Sequence, residues 1–179
     1  MSRLVEILHK LHRSPAPLGF GLAQAAPAPK RMLVIARVEG SLDAAAAAGV
    51  SKSADAVAVV CPPDGAVPSP DASGVAGTVP VGLWLEVDAA MPEESGEPRW
   101  DFIVCGADGP VDLLALKDSV CLVRVIAGME GSRLRAIADL GADAVVLSPD
   151  GLELDRISAA IECRRVRLMS GRPVLLHIA

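Results

Sequence analysis

Three segments of this chain are near-copies of one another: "SADAVAVVCPPDG" from Ser53 to Gly65, "RWDFIVCGADG" from Arg99 to Gly109, and "GADAVVLSPDG" from Gly141 to Gly151. Each places an Asp before a short apolar run and an Asp-Gly after it. Apolar runs without polar alternation suit strands buried on both faces, as in parallel sheets. The copies are about forty residues apart, roughly the length of two strand–helix units. That interval points to βα pairs laid side by side in one direction.

Five further strand-like runs surround these copies: Leu18 to Gln24 ("LGFGLAQ"), Arg31 to Glu39, Val79 to Val87, Val120 to Ala127, and Pro173 to Ala179 ("PVLLHIA"). Helical stretches fall between several of them. Ser2 to Arg13 carries Leu4, Ile7, Leu8 and Leu11 on one stripe at the helical period. Ser41 to Gly49 is short, with Ser41 as its cap and Gly49 as its stop. Pro110 to Asp118 is also short, and Ser132 to Gly141 aligns Leu134, Ile137 and Ala138. Asp150 and Glu153 resemble a capping box opening a helix from Leu152 to Met169, whose Leu154, Ile157, Ile161 and Leu168 are expected to face the core. Counting all eight runs in chain order, the connections after the first (Leu18 to Gln24), the third (ending at Cys61) and the fourth (Val79 to Val87) lack a helical signal.

Eight strands alternating with helices or helix-length links define an α/β chain, read as one domain over residues 1–179. The pattern, and the phrase "LGADAVVLS" running from a helix end into a strand, resembles (βα)8 or TIM barrels. No specific enzyme family is matched. The resemblance implies a minimal closed barrel with several helices shortened or missing, since common barrels have about 250 residues. No helix would follow the last strand, so the N-terminal helix is expected to close the barrel over the seam between first and last strands. The alternative is an open doubly wound parallel sheet. It would leave "LGFGLAQ" or "PVLLHIA" as edge strands without protecting charge.

Composition narrows the function classes. A net charge of -5 argues against a nucleic-acid surface. No apolar run reaches the roughly 18 residues of a membrane span. Glu6, His9, Lys10, His12 and Arg13 interrupt the N-terminal stretch where a signal peptide would need an apolar region, so a cytoplasmic location is expected. The cysteines, Cys61, Cys105, Cys121 and Cys163, show no metal-ligand spacing and read as small hydrophobes. No nucleotide, metal or nucleophile motif is present, and no cofactor or metal is expected.

The sharpest functional signal is charge inside strands. Arg37, Glu86, Arg124 and His177 alternate with apolar residues on even-numbered strands, and alternate strands fill the layers of a barrel interior. The four are expected to converge on the axis. Arg37 and Arg124 would offer donors to a small anion, and Glu86 and His177 are the acid/base candidates. Ser148 and Asp150, at the end of the penultimate strand, are candidate ligand contacts near a helix N-terminus. The acidic residues at the strand ends, including Asp64 and Asp108, read as turn chemistry. The sequence therefore supports a small-molecule binder or a non-catalytic scaffold. The alternative is an enzyme acting on a small anionic or phosphorylated metabolite at the carboxyl end of the strands. The strands lacking helices would expose Met32, Val34, Val57 or Ala58, and Leu83 or Trp84, which predicts a homodimer across that side.

Overall fold

The structure is a computed structural model that describes residues 4, 6–8, 33–39, 49–50, 52–61, 79–86, 100–115, 119–148 and 150–178. Its strands are β1 (Ile35–Glu39), β2 (Ala56–Cys61), β3 (Val81–Leu85), β4 (Phe102–Gly106), β5 (Val120–Ile126), β6 (Ala144–Ser148) and β7 (Val174–Leu176). All neighbours pair in parallel, in the order β1-β2-β3-β4-β5-β6-β7. A one-turn 3-10 helix covers Val111–Ala115, with α1 at Gly131–Asp139 and α2 at Ile157–Ser170.

The repeated Asp residues explain how the strands find their register. Asp55 donates its backbone N–H to Val34 O, while its carboxylate Oδ2 accepts the N–H of Val34 at 2.9 Å. Asp101 does the same with Val81, and Asp143 with Cys121, again at 2.9 Å to Oδ2 in both. Each Asp thus clamps the start of the strand before it to the start of its own. The shared feature of the three copies is this clamp at the strand entrance.

Strand order never reverses, and the described helices, the 3-10 turn, α1 and α2, all pack on one face of the sheet through Leu113, Leu134, Ile137 and Val166. That face holds one apolar cluster, where Val57, Leu83, Ile103, Val123 and Leu147 meet Leu134, Ile137 and Val166. The sheet curls into a half-barrel, and its concave face holds the other cluster. There Ala56, Ala58, Trp84, Phe102, Val104, Leu122 and Val146 pack with Leu4 and Leu8 of the N-terminal segment. In β3, Gly82 is required by this face: a Cβ there would lie 2.3 Å from the Phe102 ring on the adjacent strand.

The closed eight-stranded barrel is not formed. Among the described residues β1 pairs only with β2 and β7 only with β6. The expected first strand, Leu18 to Gln24, lies outside the described residues. The physical reason is visible on the concave face. Leu4 and Leu8 pack into the cluster there, so these helical residues lie against the inside of the sheet and not over an outer seam. An open parallel sheet fits, but not with doubly wound order, which requires a reversal of strand sequence.

Other expectations change in detail. Gly49 does not stop a helix, because Gly49, Val50, Lys52 and Ser53 are helical and Ser53 Oγ donates to Gly49 O. α2 begins at Ile157 after Arg156, and Glu153 accepts from Arg156 Nε at 2.6 Å instead of closing a capping box. Its phase is the reverse of that expected. Ala159, Val166 and Ser170 face inward, while Leu154, Ile157, Ile161 and Leu168 are exposed. Small inward residues let the helix lie close to its neighbours. Polar ties then fix its rotation: Glu162 accepts from Gly128 N, Arg165 donates to Met129 O, and Arg172 beyond the helix donates to Ala138 O. The surface expected to dimerise is also absent: Val57, Ala58, Leu83 and Trp84 are buried, Val34 alone of the described set is exposed, and Met32 lies outside the described residues.

Candidate functional site

Strand periodicity brings Arg37, Glu86, Arg124 and His177 to one face. Each lies two residues beyond a member of the concave cluster or a residue packed on it: Ile35, Trp84, Leu122 and Leu175. The sheet places them together near the carboxyl ends of β1, β3, β5 and β7.

Glu86 joins the two cations. Its Oε1 accepts from Arg37 Nη2 at 2.7 Å and its Oε2 from Arg124 Nη1 at 3.1 Å. Arg37 Nη2 also stands 3.2 Å from Oε1 of the exposed Glu39. Beneath the ion pairs lies the buried Trp84 ring, with the guanidinium carbons of Arg37 and Arg124 at 5.3 and 5.5 Å from its centroid. Both distances fall within the reach of cation–π attraction. His177 approaches the same indole, its ring centroid 5.0 Å away at a 46° tilt.

Two further features lie around the ion pairs. Among the described residues the buried indole Nε1–H of Trp84 has no acceptor, and an unpaired buried donor is costly. Gly106, in register with Arg124, is uncrowded on this face: among the described residues a Cβ there would find only Asp108 N, at 4.0 Å. The side chains of Arg37, Glu86 and Arg124 are 30%, 35% and 15% exposed, so solvent reaches them.

The electrostatics assign different states to the two acid/base candidates. Burial raises the pKa of Glu86, but the hydrogen bond and charge of Arg124, with those of Arg37, outweigh it and hold the carboxyl below its ordinary range. Burial lowers the pKa of His177, and the positive charges of Arg37 and Arg124 lower it further against the opposing fields of Glu86 and Asp150. The imidazole is therefore neutral at neutral pH.

Ser148 is buried on the concave side at the end of β6, level with Ile126 of β5. Asp150 is exposed and reaches the site only through its field at His177. Asp108 is drawn away to an ion pair with Arg133, and Asp64 lies outside the described residues. Among the described residues no three His, Cys, Asp or Glu side chains gather as metal ligands. Cys105 and Cys121 sit on the other face of the sheet, with Sγ atoms 3.8 Å apart, and the hydrogen bond between them and burial push the Cys121 thiol up.

No family model matches this chain, and no curated protein matches it. Among solved structures it is similar to the 3-dehydroquinate dehydratase from Aquifex aeolicus VF5, with a TM-score of 0.50 and 10% identity. The likeness covers 82% of this chain and 78% of that one. It is a likeness of fold alone. Among the described residues no helix is long and apolar enough to cross a membrane.

Sequence reasoning singled out the four ionisable residues that the structure brings together, and did not single out two neighbours in the cluster, Trp84 and Gly106. Trp84 shares the alternation that selects Glu86, two positions later, but an aromatic in an apolar run carries no polar signal of its own. Gly106 matters through the side chain it lacks, and that becomes visible only when its neighbours in the sheet are known.

Proposed function

We propose that this protein binds a small organic anion, a phosphate ester or a carboxylate, at the carboxyl end of the concave face. The observation that carries this reading is a pair of guanidinium groups over one buried indole, bridged by the Glu86 carboxylate with Glu39 also beside Arg37, next to the uncrowded side of Gly106. A guanidinium has five N–H donors in a planar fork. Among the described residues, the hydrogen bonds of Arg37 and Arg124 to Glu86 each use one terminal nitrogen, leaving donors for a ligand. Trp84 Nε1–H adds a donor with no acceptor among the described residues.

Within this reading Glu86 positions the two cations and does not move a proton, since both oxygens are engaged and it stays ionised. Ser148 lines the same end of the sheet, and Asp150 tunes His177. A self-contained plug would make the same ion pairs; their partial exposure, above an indole that has no acceptor among the described residues, favours the binding site. A catalytic role on such an anion is the second reading. The neutral imidazole of His177 beside two cations favours it, because that group can exchange a proton near neutrality.

Isothermal titration calorimetry with inorganic phosphate, glycerol phosphate and succinate tests the proposal. At least one probe is expected to bind, with Arg124→Gln and Arg37→Gln each weakening it by about tenfold or more. Binding to none of these probes, or unchanged affinity in both variants, overturns the reading.

A further inference from the structure

The outer side of α2 carries an apolar stripe that no described element covers. Ile157, Ile161 and Leu168 are 79%, 62% and 67% exposed, and Leu154 just before the helix is 40% exposed. Arg164 continues the same row between Ile161 and Leu168, at helical spacing. Single exposed apolar residues are ordinary on protein surfaces, whereas a contiguous helical row of them marks an interface.

Charge selects the occupant. Exposed Asp150, Glu153 and Asp155 outnumber the exposed Arg156 that pairs with the last two at the amino end of the stripe, while exposed Arg164 stands at mid-helix and exposed Arg167 toward the carboxyl end. Such a surface complements itself when reversed. We propose that α2 is a homodimer interface, packed antiparallel against α2 of a second copy about a two-fold axis. Ile157 then meets Leu168 of the partner subunit, and Ile161 lies under the aliphatic stem of the partner's Arg164. The acidic amino end of each helix faces the basic carboxyl end of the other. Arg165 and Arg172 remain on the inner side, tied to Met129 O and Ala138 O. This surface lies on the helix-covered side of the sheet, opposite the anion site, so neither proposal rests on the other.

One helix of 14 residues is about 21 Å long. It offers less than a standard interface of about 1,600 Å2, so association is weak, in the micromolar range or above. Sedimentation equilibrium on the full chain, at concentrations up to about 300 µM, is expected to show a reversible monomer–dimer equilibrium. Ile161→Glu, at an exposed position whose fold is checked by circular dichroism, is expected to weaken it by about tenfold or more.

Charge reversal gives the decisive comparison. Glu153→Lys/Asp155→Lys and Arg164→Glu/Arg167→Glu should each weaken self-association, while an equimolar mixture of the two should form a heterodimer at least as tight as the wild-type dimer. A monomeric wild type at the highest concentration overturns the proposal. So does a dimer indifferent to Ile161→Glu, or a mixture that fails to associate. Binding of a monomeric wild type to vesicles of phosphatidylserine and phosphatidylcholine would reassign the basic, apolar face to a lipid surface.

Discussion

Glu86 spends both oxygens on guanidinium groups, which leaves His177 as the member of the cluster that titrates nearest neutrality. Its folded-state pKa lies below that of the unfolded chain, so the unfolded chain binds a proton first on acidification. The stability from keeping the imidazole neutral is complete above about pH 6.5 and is lost as the pH falls toward the folded-state value. An NMR titration of the His177 ring is expected to give a midpoint below that of an unstructured histidine. A midpoint at or above it would mean that Arg37 and Arg124 do not surround the ring as described. A bound anion offsets those cations, so the midpoint should rise on adding whichever probe binds. The four ionisable residues, Arg37 and Arg124 within strands and Glu86 and His177 one residue past them, were legible in the sequence because period-two alternation assigns faces without knowledge of the fold. Their hydrogen bonds were not, since 49 residues separate Arg37 from Glu86 and 38 separate Glu86 from Arg124.

At the scale of elements, the entrance clamps are the most economical device in the chain. One side-chain oxygen and one backbone N–H from the same residue hold two parallel strands in register, and a one-residue slip would move every side chain to the wrong face. Replacing Asp143 by Ala leaves the part-buried N–H of Cys121 without its carboxylate acceptor. A loss of about 1.5–3 kcal/mol in unfolding free energy is expected, as for a hydrogen bond to a charged group. Asp143→Asn keeps an acceptor oxygen and should lose less. Urea denaturation of the two variants measures the difference, and an Asn variant as unstable as the Ala variant would refute the clamp. α2 shows the limit of pattern reading at this scale. Its inward residues, Ala159, Val166 and Ser170, are smaller than the apolar residues it turns outward. Hydrophobic periodicity weighs size and count, whereas the observed rotation follows close approach and the ties of Glu162, Arg165 and Arg172.

For the molecule as a whole, the half-barrel grades stability from its centre to its margins. β3 and β6 are buried throughout, while β1 and the three residues of β7 are only half-buried or exposed. Native-state amide exchange should therefore be slowest in β2 to β6 and faster in β1 and β7, which open by local fluctuations. Protection in β1 and β7 equal to that of β3 would imply a closed ring. The sequence by itself determined seven of these strands and their parallel winding, because apolar runs and their spacing are local properties. It also determined which ionisable side chains share a face. Only the tertiary structure decided that the sheet stays open and that Leu4 and Leu8 pack into its hollow. It alone decided that α2 turns its larger apolar residues to solvent. Each of these depends on contacts between distant segments, where the available volume and the hydrogen bonds of the partner choose among arrangements that local pattern leaves equivalent.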